Sequence, residues 1–197
     1  MITETHKPYI YWNYFLSLED DFEKVSRYIE ICSDNNNTYS IELARSMLSS
    51  CSEVDVVLKE LCKLLSNDFD CTRPNIDKYR KVIVEKIPNF YKEKVYIPRY
   101  GRKLNPWINW GKNKNPNWWD GYNKVKHQRT EFFKLAKLKN SLNAMAGLLI
   151  TIYFYYKYSF IKDGENLQHD SVFMKLKPES KLFFLDDSYY PRHLLLE

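Results

Sequence analysis

The chain has few glycines and no cysteine pairing motif, and these shortages exclude several classes of protein. Only five of its 197 residues are glycine. No glycine-rich loop of the kind that cradles phosphates is present, so neither a P-loop nor a Rossmann unit is expected. The four cysteines show no C-x-x-C spacing and the four histidines are scattered along the chain. The sequence therefore predicts no metal site and no cofactor.

Long apolar runs are also missing. The longest uncharged stretch, residues 140–156, contains Asn140, Ser141 and Asn143. It falls short of the roughly 18 to 20 clean apolar residues that a membrane-spanning helix requires. Residues 1–12 lack the basic and apolar regions of a secretory signal. We therefore expect a cytoplasmic protein with no membrane contact, in a reducing setting where Cys51 and Cys62 act as small apolar residues.

What the sequence does contain is the periodicity of helices. Ser40 can cap a helix whose apolar residues recur at three- and four-residue steps to about Leu65. Asn75 opens another helix, to about Ile87, and a closing helix is expected over residues 135–158. Residues 9–18 lack helical spacing and predict a short strand or an extended arm, followed by a first helix over about 18–31.

These patterns predict a single domain, residues 1–197, of the all-α (mainly) class with four to five helices. Its helical core spans residues 40–158. The appended tail, residues 163–197, contains two short apolar runs, 172–176 and 182–185, separated by Pro178, Glu179 and Ser180. Such a pair of runs predicts a small C-terminal β-hairpin.

Positive charge is concentrated in one part of the chain. Residues 92–139 contain thirteen lysines and arginines against three acids. This leaves +10 in that segment and −5 elsewhere, in a chain of net charge +5. A split of this kind indicates an anionic partner, although a lysine-rich surface that only keeps the protein in solution is the alternative.

A long insertion, residues 89–117, interleaves these cations with aromatic residues. Single-stranded RNA requires cations for its phosphates and flat rings for its bases. We therefore expect RNA contacts from Arg99, Arg102 and Lys103 and from the rings of Trp107 and Trp110. The alternative is that the tryptophans anchor a long loop to the core.

The helical pattern that resumes at Trp118 carries the candidate site. Asn123 and His127 are four residues apart, so on a helix both side chains project from the same face. Positive charge surrounds them, and further RNA contacts are expected from Trp118, Tyr122, Lys124 and Lys126. Arg129 follows two residues after the histidine.

An acid in the preceding long helix is expected to support this site. Asp55 falls inside the apolar stripe, where an ionised carboxylate needs a cationic or hydrogen-bonding partner. It could orient a basic group of the site, Arg129, Lys126 or His127. A structural ion pair or a partly exposed edge position is the alternative.

Together these residues resemble a known superfamily. Ser52-Glu53-Val54-Asp55, then Trp118-Trp119, then Tyr122-Asn123-Lys124-Val125-Lys126-His127-Gln128-Arg129 and a small-and-apolar closing helix are similar to the HEPN superfamily. These helical bundles occur in prokaryotic toxins, phage-defence systems and RNA-processing systems. Their catalytic motif is an arginine, usually a polar residue, three to five further residues and a histidine. Asn123 and His127 match it, whereas Tyr122 occupies the arginine position.

The resemblance implies a HEPN-like bundle that acts on RNA, as a metal-independent endoribonuclease in a toxin-antitoxin or phage-defence system. His127 would be general acid or base, Asn123 would position it, Arg129 would contact phosphate, and Asp55 and Glu53 would be orienting residues. It also implies a homodimer and an antitoxin or defence-complex partner. Because of Tyr122, a non-catalytic RNA-binding or protein-interaction module is the alternative function.

Overall fold

The computed structural model describes residues 8–70, 72–165 and 171–190, and this part of the chain is mainly helical. Its six α-helices and one two-stranded hairpin follow in chain order. They are α1 (Ile10–Ser26), α2 (Ile41–Leu65), α3 (Ile76–Lys86), β1 (Val95–Ile97), β2 (Arg102–Leu104), α4 (Asn117–Phe132), α5 (Leu138–Lys162) and α6 (Ser171–Lys175).

The central pair of the fold is α2 against α5. The prediction for α2 is confirmed, since the Ser40 hydroxyl accepts a hydrogen bond from the Leu43 N–H at 3.1 Å. Its apolar stripe is buried against α5, which is buried on nearly all sides along its middle. The two helices are also joined where Ser141 Oγ donates to the Leu43 carbonyl at 2.9 Å. Each fully buried Leu or Met in this pair contributes about 1.5–3 kcal/mol.

The prediction for residues 9–18 is wrong, because they belong to α1 rather than to a strand or an arm. Trp12, Phe15, Leu18 and Phe22 are buried at three- and four-residue steps. The helical spacing is therefore present, but the exposed aromatic residues between these positions, such as Tyr14, obscure it. The helix also ends at Ser26, well before the residue 31 expected from the sequence.

The insertion is folded onto the helical core. β1 and β2 pair antiparallel with Val95 opposite Leu104. Gly101 lies in the turn at a φ of 58°, a conformation that glycine adopts without strain. After this hairpin, Trp107 Nε1 donates to the Gly147 carbonyl in the middle of α5 at 3.2 Å. The insertion is thus an ordered layer over α5.

The predicted C-terminal hairpin is wrong within the described residues. The first apolar run forms the short helix α6. In the second run, Phe184 makes an isolated antiparallel bridge with Tyr96 of β1, and no second strand of a tail hairpin is described. The segment packs on α1, where Trp12 Nε1 donates to the Pro178 carbonyl at 2.9 Å. Its apolar residues therefore belong to the main core.

None of the helices that the structure describes is both long enough and apolar enough to cross a bilayer. This includes α5, whose polar residues Asn140, Ser141 and Asn143 interrupt its apolar surface.

Candidate nucleic-acid interface

Helix α4 presents the candidate site because its two faces differ. Its buried face, which includes Trp118, Trp119 and Val125, packs into the core. Trp118 Nε1 donates to the Pro106 carbonyl at 2.8 Å, which attaches the start of α4 to the insertion. The opposite face therefore points to solvent and carries the polar residues of the motif.

Asn123 and His127 lie on one face of α4, as the spacing predicts. Asn123 is half-buried and His127 is exposed, near the end of the regular part of the helix. No hydrogen bond or ion pair joins the His127 imidazole to another of the described residues. The imidazole is thus available to a ligand.

Tyr122, in the position of the motif arginine, is a core residue. It is 5% exposed and packs against Trp119, with ring centroids 5.3 Å apart. Its buried ring cannot stack on a base, so the prediction that Tyr122 contacts RNA is wrong. Lys126 Nζ lies 5.4 Å from the centroid of that ring, so the lysine one turn later places its ammonium group against Tyr122.

The remaining cations of the helix are on its solvent side. Lys124 is exposed and its Nζ lies 5.3 Å from the centroid of the Phe132 ring. Asp120, one turn before it, is partly shielded from water, and this raises the pKa of its carboxyl. The α4 surface, defined as Asn123, Lys124, Lys126 and His127, therefore has two cations, and the exposed Asp120 on the same face places one acid beside Lys124.

Arg129 is separated from this surface by a break in the helix. Gln128 has non-helical backbone angles, φ −140° and ψ 51°. Beyond the break, Arg129 lines a groove of about 410 Å³ between α4 and α2. Its walls are formed by two sets of residues, Ile41, Ala44, Arg45 and Leu48 from α2, and Arg129, Thr130 and Phe133 from the end of α4 and the turn after it.

The expected base-stacking rings of the insertion are also buried. Trp107, Trp110 and Trp118 are at most 3% exposed. Trp107 and Trp110 pack against each other with centroids 4.3 Å apart, and Trp107 meets Trp118 edge to face at 5.0 Å. These rings anchor the insertion to α5, which is the alternative that the sequence left open, and they do not form a surface for bases.

The basic residues of the hairpin are tied to other parts of the fold. Arg99 Nη1 lies 3.3 Å from the Glu23 carboxylate of α1, and Arg102 Nη2 donates to Asn36 Oδ1 at 3.0 Å. Lys103 Nζ lies 5.4 Å from the centroid of the Tyr96 ring. The described contacts therefore do not bring Arg99, Arg102 or Lys103 to the α4 surface.

Among the described residues, Asp55 and Glu53 of α2, the two acids expected to support the candidate site, form no ion pair with it. Asp55 and Glu53 are half-buried, and no described ion pair joins either to a basic side chain of α4. Burial raises the pKa of Glu53. Burial, Tyr155 and Glu60 raise the pKa of Tyr11 of α1 to about 12, and the charge of Glu53 adds a smaller effect in the same direction. No described contact therefore links Glu53 to α4.

Two residues of the site region were missed by sequence reasoning. Arg45 shares the groove with Arg129, and Tyr39 is 52% exposed beside it, with its ring meeting that of Phe133 edge to face at 5.6 Å. No local signal marks Arg45, because its distance from Arg129 in sequence is bridged only by the packing of α2 and α4. The one sequence feature that could have indicated this region is Tyr39, an aromatic residue directly before the helix cap Ser40.

No group of three or more histidine, cysteine, aspartate or glutamate side chains in the described part of the chain could hold a metal ion. Comparisons with known protein families, with curated proteins and with solved structures found no match.

Proposed function

We propose that this protein binds RNA through the α4 surface. The observation that carries the proposal is the two-faced character of α4, which fixes its tryptophans in the core and presents Lys124, Lys126, Asn123 and His127 together to solvent. Lysine side chains bind phosphates as point charges, and the Asn123 amide and the His127 imidazole can hydrogen-bond phosphate or sugar oxygens.

Salt dependence and a matched charge control test this proposal. Lys124→Ala/Lys126→Ala should weaken binding of a labelled RNA and lower the slope of log affinity against log salt by about 1 for each lysine that binds a phosphate. The control, Lys162→Ala/Lys177→Ala, removes the same charge from exposed residues outside the α4 surface. Lys162 is the last of the 25 residues of α5, and α4 lies next to the first. Lys162 is therefore about 36 Å along the helix from the end near the α4 surface. Equal losses of affinity in both variants, or no RNA affinity at low salt, would overturn the proposal; the latter leaves a protein partner, such as an antitoxin or a defence-complex subunit.

A second candidate function is metal-independent RNA cleavage, favoured by the exposed imidazole of His127 one turn from Asn123. Attack of the ribose 2′-hydroxyl on the adjacent phosphate needs a group that moves a proton and donors that stabilise charge on phosphorus. Histidine is the side chain that most often serves as general acid or base in catalysis. One chain offers a single imidazole on the α4 surface, and a symmetric homodimer that pairs two α4 helices would supply the second.

Cleavage is tested by incubating the protein with labelled RNA in excess EDTA and analysing the fragment ends. If the protein is an endoribonuclease, the fragments should carry 2′,3′-cyclic phosphate ends. Cleavage should be abolished in His127→Ala and reduced in Asn123→Ala, and the protein should sediment as a dimer. RNA that is bound but not cut would leave the binding function alone. Because His127 is exposed, its replacement should not unfold the chain, which circular dichroism checks.

A further inference from the structure

The groove between α2 and α4 has the size and the lining of a small-molecule site. Its volume of about 410 Å³ falls in the range of roughly 300–1,000 Å³ that is typical of ligand pockets. Its lining consists of four apolar residues and three polar ones, Arg45, Arg129 and Thr130. Apolar residues beside a small number of polar groups that fix orientation are typical of ligand pockets.

The ionisable side chains that line this groove all carry positive charge. Arg45 is paired with Glu42 at 3.0 Å, but this pair is on the surface and therefore weak. Arg129 has no ion pair among the described residues. A guanidinium group presents a planar fork of donors that fits two oxygens of a phosphate. The groove thus has the donors for one phosphoryl group.

The break at Gln128 is what brings Arg129 here. Arg129 follows four residues after Val125, which is buried, so an unbroken helix would direct it toward the same buried face. The non-helical angles of Gln128 leave Arg129 exposed at the groove instead. The position of the second arginine is therefore a specific feature of this backbone.

The apolar wall beside the arginines can receive a planar ring. Leu48 and Phe133 are half-buried, and Ile41 is 68% exposed. Tyr39 extends this wall outside the groove, against the edge of Phe133. A base can stack on the Phe133 ring and pack against the aliphatic residues beside it. An acidic peptide or an anionic membrane would use the arginines but leave the apolar wall beside them without a role.

We propose that this groove binds a nucleotide, with its phosphate on Arg45 and Arg129 and its base against Ile41, Leu48 and Phe133. The nucleotide is either free or one unit of an RNA strand, and in the second case the inference rests on the proposed RNA binding. The groove then continues the path of a strand from the α4 surface around the break at Gln128.

Calorimetric titration with adenosine 5′-monophosphate, adenosine and inorganic phosphate tests the site. The monophosphate should bind more tightly than either fragment, and Arg45→Gln or Arg129→Gln should weaken it at least about tenfold. Arg129→Lys should restore part of the affinity, because it keeps the charge without the fork. Arg73→Gln removes an exposed arginine elsewhere and should change nothing. Equal binding of adenosine and its monophosphate, or an unchanged affinity of both glutamine variants, would overturn the inference.

Competition with single-stranded RNA separates the two sources of the nucleotide. Displacement of the monophosphate by RNA supports a strand that enters the groove. If Arg129→Gln weakens binding of the monophosphate but RNA does not displace it, the groove takes a free nucleotide, and the version in which an RNA strand enters the groove is wrong. RNA affinity that depends on Lys124 and Lys126 but not on Arg45 and Arg129 would overturn the groove as part of the RNA site, while the proposed function would stand.

Discussion

The Glu19 carboxylate lies in the core, 2% exposed, and holds the C-terminal segment on α1. It accepts hydrogen bonds from the N–H groups of Lys181, Leu182 and Phe183 at 2.9–3.0 Å, and a further short one from the Ser180 hydroxyl. A buried carboxylate of this kind is stable because four donors replace its hydration.

Replacing this acid should destabilise the protein strongly. In Glu19→Gln the amide NH₂ faces one of the N–H donors and the negative charge is removed, so we expect a decrease of about 2–3 kcal/mol in the free energy of unfolding. Urea denaturation measures it. Asp21→Asn, which alters an exposed pair with Lys24 on the same helix, should leave the stability nearly unchanged. Similar decreases in the two variants would show that the four hydrogen bonds contribute little.

Replacing Glu53 should have the opposite effect on stability from replacing Glu19. Burial raises its pKa above the ordinary value, so its ionised form is less favourable in the folded state than in the unfolded chain. This loss of folding free energy is fully present above the pKa that Glu53 has in the folded protein. It disappears below the pKa that Glu53 has in the unfolded chain, at about pH 4. We therefore expect Glu53→Gln to raise the stability at pH 7 by less than about 1 kcal/mol, because the group is only half-buried.

Thermal unfolding of the parent and of Glu53→Gln, from about pH 3.5 to about pH 8, checks the sign. The difference between the two proteins should vanish at the acid end. A variant that is less stable than the parent at neutral pH would mean that the carboxylate has a favourable partner.

At the scale of the elements, the contact between α4 and α5 depends on the absence of a side chain at Gly147. A Cβ there would lie 2.9 Å from Cζ2 of Trp118, a ring held in place by its bond to the Pro106 carbonyl. Gly147→Ala gains about 1 kcal/mol of helix propensity but overpacks the core at a cost of about 1–3 kcal/mol. We expect a net destabilisation of about 1 kcal/mol.

The measurement is urea denaturation beside Asn143→Ala, a half-buried position of the same helix. The Asn143 amide donates to the Lys139 carbonyl one turn earlier, so its replacement should leave the stability unchanged or slightly higher. If Gly147→Ala were more stable than the parent, the tryptophan layer would be able to move away from α5.

The elements that the sequence predicts well are those with their own local signals. Helices α2 and α3 have a side-chain cap at Ser40 and Asn75, and the second cap is confirmed by bonds to the N–H groups of Asp77 and Lys78. Residues 9–18 and 172–185 are harder to predict, because their aromatic and apolar residues occupy exposed positions or meet a distant partner such as Tyr96. Periodicity alone does not distinguish these cases.

The site was less predictable than the fold for a physical reason. The spacing of Asn123 and His127 depends only on helix geometry, and both lie on one face. Composition cannot tell whether a tryptophan such as Trp107 covers the core or faces a ligand, since both uses need a large flat ring. That Arg45 and Arg129 line the same groove depends on the backbone break at Gln128 and on the packing of two helices, so only the three-dimensional structure shows it.

At the scale of the whole molecule, the insertion and the C-terminal segment are joined to the helical core by buried contacts. The Trp107 indole donates a hydrogen bond to the Gly147 carbonyl, and the Trp12 indole donates one to the Pro178 carbonyl. All five tryptophans of the chain are buried. A layer that depends on the core for its burial cannot keep its own structure once the core opens. We therefore expect these parts to unfold in one cooperative transition.

Tryptophan fluorescence and far-ultraviolet circular dichroism in urea test this expectation, because fluorescence reports mainly the insertion and α4, and circular dichroism reports mainly α2 and α5. The two curves should share one midpoint in the parent, and Glu19→Gln and Gly147→Ala should each shift both curves together. Were fluorescence to change at a lower urea concentration than circular dichroism, the insertion would be a separately unfolding layer. Trp107 and Trp110 could then become exposed while the helical core stays folded, and the base-stacking role first expected of them would again be physically possible.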